Sequence, residues 1–310
     1  MVKKKSHAEK KEKVKSRAVA KRKANNAVKQ KTKPAIKQKM KLRKNKTSKT
    51  LGKKIQNKEV NNMAENMEDE PLADKPSHAH FEKMKFTTSG IKGFDDVLGG
   101  GYPHAKLIML SGRCGTGKTT FGMQYLYHGA KKENENGVFV ALEKEPSEII
   151  ESVSVFDDLK QLVNAKKISI VKPDMHRFDT FKKALEEEVV RIGAKRLVID
   201  SFSFISAYFH EDPYEVRRSI AELSRLVKRL NCTTIVIEDI LEGSPFLSYT
   251  GYKEFVVGGV IVLDLVKKDP STFARTVFIR KMTGVNHSLK LIPIEITGEG
   301  IVVYPDAEVF

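Results

Sequence analysis

The sequence predicts an α/β fold: a mostly parallel sheet with helices on both faces, followed by a β-rich C-terminal meander. Three observations predict it. Between residues 107 and 238 short apolar runs alternate with amphipathic stretches, and such alternation implies right-handed crossovers between parallel strands. The run Gly112-Arg113-Cys114-Gly115-Thr116-Gly117-Lys118-Thr119 joins an apolar run to an amphipathic one. Beyond residue 238 helical spacing stops, and four apolar runs follow with short connections.

The elements are read in chain order. Residues 107–110, Leu-Ile-Met-Leu, form a buried strand. Residues 119–130 form a helix with Phe121, Tyr125 and Leu126 on one side. A second strand covers 137–142, and a helix starts near Pro146 with Ile149, Ile150, Val153 and Phe156 at helical spacing. A strand at 168–171 precedes a helix at 179–192, for which Asp179 is the expected N-cap. The strand 196–200 ends in the carboxylate of Asp200. A long amphipathic helix, 213–230, leads to a strand at 233–238. The meander comprises 256–265, 274–280, 289–296 and 301–304. In such sheets ligands bind beyond the carboxyl ends of the strands, where the glycine-rich run, Glu143 and Asp200 all fall.

Charge divides the chain. The formal net charge is +17, yet residues 1–60 hold 24 Lys and Arg against Glu9, Glu12 and Glu59, about +21, which leaves about −4 on the rest. No aromatic residue precedes Phe81. A segment so basic and so poor in large apolar groups buries too little surface to offset chain entropy. Residues 1–80 are therefore expected to be a disordered Lys-rich tail and acidic linker, with residues 81–310 as the folded domain. That length is enough for one α/β domain. Cys114 and Cys232 are the only cysteines, so no disulfide framework is expected and a reducing, cytoplasmic setting is. No apolar run is long enough to cross a bilayer, and no secretory h-region is read at the N-terminus.

The glycine-rich run fits G-x-x-x-x-G-K-[ST], the phosphate-binding loop of nucleotide-hydrolysing proteins. Its glycines let successive N–H groups point inward and cradle anions. Gly112, Arg113, Cys114, Gly115, Thr116, Gly117, Lys118, Thr119 and the following Thr120 are the expected nucleotide-binding residues. Lys118 would reach the β- and γ-phosphates, and the Thr119 hydroxyl would take one Mg²⁺ position. Asp200 is the expected second Mg²⁺ residue, usually acting through a water. Glu143 is placed to orient the attacking water. Lys144, Glu145 and Glu148 crowd the same turn, so Glu143 also reads as part of a charged helix start. Cys114 reads as a small filler.

Six segments then occur in order: Thr88-x-Gly90-Ile91-x-x-Phe94-Asp95; Gly99-Gly100-Gly101-x-Pro103; the phosphate loop; Phe139-Val140-x-x-Glu143-x-x-Pro146; Val198-Ile199-Asp200-Ser201; and Arg280-Lys281-Met282-x-Gly284-x-x-His287. Together they resemble the KaiC family of ATPases within the RecA superfamily, over roughly residues 86–305. The resemblance implies a RecA-like core with ATP and Mg²⁺ bound between subunits of a homo-oligomeric ring, often a hexamer. It implies that Glu143 is the catalytic base, Lys118 a catalytic cation, and that Lys281 and His287 reach the neighbouring subunit's ATP. Two departures stand out. The family usually has two adjacent glutamates after the second strand, and here the second is Lys144. The family's trans-acting arginine is replaced by Thr283, which removes a planar bidentate donor that Lys cannot replace; Arg280 or Arg275 are candidate substitutes. Glu254 and Phe255 stand where a clock relative carries its phosphorylated Ser-Thr pair, so that autokinase activity is not expected.

Three readings follow. The chain is a regulatory or assembly ATPase acting on an unidentified protein partner; a DNA-acting recombinase or repair accessory; or a catalytically weak ATP-binding module. The tail is a candidate for sequence-tolerant nucleic-acid contact through phosphate neutralisation. The loop at residues 241–252, with Phe246, Tyr249 and Tyr252 and only Lys253 near its end as a cation, is a second candidate.

Overall fold

A computed structural model describes residues 84–209, 212–248 and 251–309. The expected tail at 1–80, His210, Glu211, Tyr249, Thr250 and Phe310 lie outside the described residues. The strands are β1 (Phe86–Thr87), β2 (Tyr102–Pro103), β3 (Leu107–Gly112), β4 (Gly137–Ala141), β5 (Ile168–Val171), β6 (Arg196–Asp200), β7 (Thr233–Asp239), β8 (Gly259–Lys267), β9 (Phe273–Met282), β10 (Ile292–Thr297) and β11 (Gly300–Val303). The helices are α1 (Phe94–Leu98), α2 (Lys118–Lys132), α3 (Pro146–Ser152), α4 (Leu159–Asn164), α5 (Phe178–Ile192), α6 (Ser203–Tyr208) and α7 (Pro213–Arg229).

One nine-stranded sheet, ordered β11-β10-β9-β8-β3-β7-β6-β4-β5, runs through the domain. From β8 to β5 all neighbours are parallel. The meander strands β9, β10 and β11 then extend the same sheet antiparallel. The strand before the phosphate loop, β3, is thus central, with β7 on one side and β8 on the other. Strand residues alternate between the faces. Ile108 and Leu110 enter one core with Phe94, Phe121, Leu126 and Phe139, while Leu107 and Met109 enter the other with Phe181, Leu185, Leu223 and Val236. Both faces are buried, which is why these strands read as continuous apolar runs.

Local sequence explains the helix ends. Pro213 opens α7 after Asp212, whose Oδ1 accepts from the amides of Tyr214 and Glu215 at 2.9 and 3.0 Å. Val216, Ile220, Leu223 and Val227 of α7 recur at helical spacing and are fully buried. Glu145 and Glu148 form a capping box at the start of α3.

Three expectations need correction. Asp179 is not an N-cap: Arg177 occupies that position, and Asp179 sits in the first turn of α5 paired with Lys182 at 2.9 Å. The helix from Pro146 stops at Ser152, and Val153 and Phe156 are buried in a turn before the separate helix α4. Apolar spacing reported which residues face the core without reporting that the backbone stays helical between them. The strand read as starting at residue 256 begins at Gly259, because the amides of Val256 and Val257 donate back to the Lys253 carbonyl at 3.1 and 3.4 Å and prolong the 3₁₀ turn Lys253–Phe255.

A buried cation braces the sheet on the α2 side. Arg196, at the start of β6, donates from Nε to Glu135 at 2.7 Å and from Nη1 to the carbonyls of Thr88 and Tyr125 at 3.0 and 2.9 Å. Its guanidinium also lies 4.6 Å from the Tyr125 ring centroid. Gly129 makes the room, since a Cβ there would lie 2.3 Å from Arg196 Nε.

Candidate functional site

The carboxyl ends of β3, β4, β6 and β7 surround one cleft of about 300 Å³. It is lined by Cys114, Gly115, Gly117, Lys118, Thr119 and Thr120 of the glycine-rich loop and α2, by Glu143, Lys144 and Ile149, and by Asp200, Ser201 and Asp239. Sheet register produces this convergence: Gly112 pairs with Asp239, and Ala141 with Asp200.

The loop backbone has the requirements of an anion cradle. Gly115 and Gly117 hold φ of 76° and 99°, a region that residues with a Cβ rarely adopt. A Cβ on Gly115 would meet nothing within 4 Å, so the loop faces open space there. Gly112 is needed for another reason, as its Cβ would lie 2.6 Å from the Leu263 carbonyl. Thr116 is buried and its hydroxyl donates to the Arg113 carbonyl at 2.9 Å, closing the loop on itself. α2 begins at Lys118, so its N-terminal amides and positive dipole end face the cleft.

Charge in the cleft is organised around two carboxylates. Lys118 Nζ donates to the Arg113 carbonyl at 2.8 Å and lies 3.2 Å from Asp239 Oδ1. The Thr119 hydroxyl donates to Asp200 Oδ2 at 2.8 Å. Burial holds the Asp200 carboxyl above its usual value, and the nearby Asp239 charge adds to this; the Thr119 hydroxyl, Lys144 and Lys118 pull the other way. A carboxylate so placed gains from a bound cation. The hydroxyl and carboxylate form a hard oxygen pair of the kind Mg²⁺ takes, with waters and phosphates completing its shell. Such a site needs no protein cage, and no group of three or more metal-ligating side chains occurs among the described residues. The Ser201 hydroxyl, beside Asp200, is buried without a hydrogen-bond partner.

The expected site residues separate into three groups. Cys114, Gly115, Gly117, Lys118, Thr119, Thr120, Glu143 and Asp200 line the cleft. Gly112, Arg113 and Thr116, also expected to bind nucleotide, belong to the loop but do not line the cleft. The Arg113 side chain turns away, with Nη1 2.6 Å from Asp264 and Nε 3.5 Å from Glu242. Glu143 is exposed at the rim next to Lys144.

Lys281 and His287 do not line the cleft of their own chain. Lys281 pairs with Val260 near the start of β8, whereas the phosphate loop lies level with Leu263. Lys281 Nζ donates to the carbonyls of Glu254 and Val257 at 3.3 and 2.7 Å, and burial lowers its pKa. His287 Nδ1 is 3.0 Å from the Ser288 carbonyl. Of the substitute arginines, Arg275 donates from Nε to the Gly115 carbonyl at 3.2 Å, on the phosphate-loop side, while Arg280 is exposed.

Sequence reasoning missed Asp239, because β7 was read as ending at Glu238. Two consecutive acids closing an apolar strand were the available signal: one side chain of such a pair points to each face. The loop after β7 also differs from expectation. Lys253, its expected cation, is fully buried against Glu238 at 2.6 Å and offers no charge to a nucleic acid. Phe246 is exposed, and Tyr252 lies under Arg217 at 5.6 Å.

Known proteins are similar to this chain in sequence and fold. A family model described as "ATPase: KaiC" matches residues 87–308. A UPF0273 protein of Methanocaldococcus jannaschii is 36% identical over 245 residues, which cover 72% of this chain and 98% of that protein. The circadian clock oscillator protein KaiC of Prochlorococcus marinus is 35% identical over 228 residues, 70% of this chain but 45% of that protein. The crystal structure of a KaiC-like protein from the hyperthermophilic archaeon Pyrococcus horikoshii matches with a TM-score of 0.65 at 38% identity, covering 72% of this chain and all of that one.

Proposed function

The chain belongs to the KaiC ATPase family, and from that premise we propose that it binds MgATP in the β3–β4–β6–β7 cleft and hydrolyses it as a cytoplasmic regulatory or assembly ATPase. The observation that carries this reading is the meeting of Lys118, the Thr119–Asp200 pair and Glu143 around one cleft. The loop amides and Lys118 would bind the phosphates. Thr119 and Asp200 would hold Mg²⁺, which when bound offsets charge on the transferring phosphoryl group. Glu143, exposed at the rim, would accept a proton from the attacking water.

The separation of Lys281 and His287 from the cleft of their own chain supports a site completed by a neighbouring subunit, hence a ring. Thr283 leaves Lys281 as the cation expected to act in trans, and turnover is expected to be slow. The net charge of about +21 on residues 1–60 favours an added role for the tail in sequence-tolerant nucleic-acid binding.

The test is the Glu143→Gln variant of the full chain. It keeps shape and removes the base, so ATP should still bind while hydrolysis falls by roughly a hundredfold or more. Unchanged turnover would place the base elsewhere. No turnover in either protein would leave an ATP-binding module.

A further inference from the structure

A wholly buried ion pair joins the nucleotide cleft to Lys281. Glu238 and Lys253 are both fully buried, with Nζ 2.6 Å from Oε2. Burial pulls the Lys253 ammonium below the ordinary lysine value, against the opposing attraction of Glu238. Two desolvated charges are rarely the most stable filling for a core site, and apolar residues of similar volume often serve as well or better. The pair therefore invites a reading other than stability.

Its connections supply one. Glu238 adjoins Asp239 of the cleft. Lys253 Nζ also donates to the Phe202 carbonyl at 3.0 Å, two residues beyond Asp200. One ammonium thus ties the ends of the two strands that carry the cleft carboxylates. On its other side, Lys253 opens the 3₁₀ turn Lys253–Phe255, and this turn together with Val257 supplies both carbonyls that hold Lys281 Nζ. The segment is tied again where Ser111, just before the phosphate loop, donates to the Leu247 carbonyl, and where Ser248 donates to Glu254 at 2.6 Å.

We propose that the Glu238–Lys253 pair is a positioning element that fixes the Lys281 ammonium relative to the strand ends bearing Asp200 and Asp239. This rests on the reading that Lys281 acts on a neighbouring subunit's nucleotide. Removing the pair deletes no side chain of the cleft, and Asp239 and Asp200 keep their register partners Gly112 and Ala141, but it frees the turn that presents Lys281. The loss is then one of turnover, with nucleotide binding retained.

The experiment compares Glu238→Gln/Lys253→Met, which removes both charges at nearly constant volume, with Lys281→Ala and with the triple variant, in the full chain. The double variant is expected to bind ATP within about threefold of wild type and to lose about tenfold or more in turnover. The triple variant should lose no more than Lys281→Ala alone, since residues acting through one group are not additive. Mixing the double variant with Glu143→Gln subunits should restore turnover, because one mixed interface then has an intact base facing a correctly held Lys281. Wild-type turnover in the double variant, or losses that multiply in the triple variant, would overturn the proposal. Should Lys281→Ala itself turn over normally, or should wild type not hydrolyse ATP, the underlying reading fails and the proposal with it. Loss in Lys281→Ala with none in the double variant sinks the proposal alone. If the double variant does not fold, Glu238→Asp, which keeps the charge and withdraws the carboxylate by one methylene, carries the same comparison.

Discussion

Replacing Lys118 with Ala tests the cleft most directly. Before nucleotide arrives, the ammonium has the Arg113 carbonyl at 2.8 Å and the half-exposed Asp239 carboxylate at 3.2 Å. Reaching two phosphates would give it about two charge-assisted hydrogen bonds, each contributing about 1.5–3 kcal/mol. Against that stand the surrendered carbonyl bond and a solvent-screened ion pair that contributes about 0–1 kcal/mol. The net contribution is about 2–4 kcal/mol, or about 30- to 1,000-fold in the ATP dissociation constant. A secondary effect adds to it: Lys118 is one of the cations pulling the Asp200 carboxyl down, so its removal leaves Asp200 more easily protonated. Calorimetric titration with MgATP measures the loss, with the thermal unfolding transition as a control that the fold persists. A dissociation constant within threefold of wild type would refute the phosphate-loop assignment.

Other outcomes follow from the same geometry. Lys281→Ala should lower turnover while the chain still unfolds in one cooperative transition, at a somewhat lower temperature for the two lost carbonyl bonds, and mixing it with Glu143→Gln subunits should restore part of the activity; absence of rescue, or an ATP-bound monomer by light scattering, counts against a shared site. Burial raises the folded pKa of Asp200, so its contribution to stability is complete below the unfolded carboxylate range, about pH 4, and is lost as pH rises through the higher folded value. Asp200→Asn should therefore melt above wild type at neutral pH, with the gap closing toward about pH 4, while Mg²⁺-dependent turnover disappears; a variant that melts lower at neutral pH contradicts the sign. If about eight tail cations neutralise phosphates at once, duplex DNA binding should show a log–log salt slope of roughly −7. Deleting residues 1–60 should flatten that slope and spare ATP binding, and equal DNA binding by the truncated chain would move the contact elsewhere.

The regular elements were legible because their signals are local. β5 and β6 appear with the ends read from the sequence, and α2, α5 and α7 lie within two residues of their expected limits. Apolar runs buried on both faces and helices with one apolar stripe announce themselves within a dozen residues. The short helix α6 was missed, since the run after Asp200 has no stripe long enough to stand out from a loop. The Asp179 cap failed for a related reason: any acid in the first turn satisfies the same helix-start preference, and only the backbone at Arg177 decides which residue is the cap.

What the sequence determined by itself is the chemistry that a contiguous segment can specify. Eight residues from Gly112 to Thr119 dictate a loop with two positive-φ glycines, an inward lysine and a hydroxyl at a helix start, because turn geometry and helix initiation are set by near neighbours. The carboxylate at the end of β6 was legible in the same way. Tertiary structure alone decided which distant groups meet that loop. The parallel register that sets Gly112 beside Asp239 brings in a second acid. The tertiary placement of the 253–255 turn makes Lys253, the cation near the end of the candidate nucleic-acid loop, a buried partner of Glu238. The antiparallel return of β9 carries Lys281 away from the cleft of its own chain. The acids closing β7 are visible locally, but which groups meet is not, because a side chain's partner across a sheet is chosen by strand order and register, and those are settled by the packing of both cores at once.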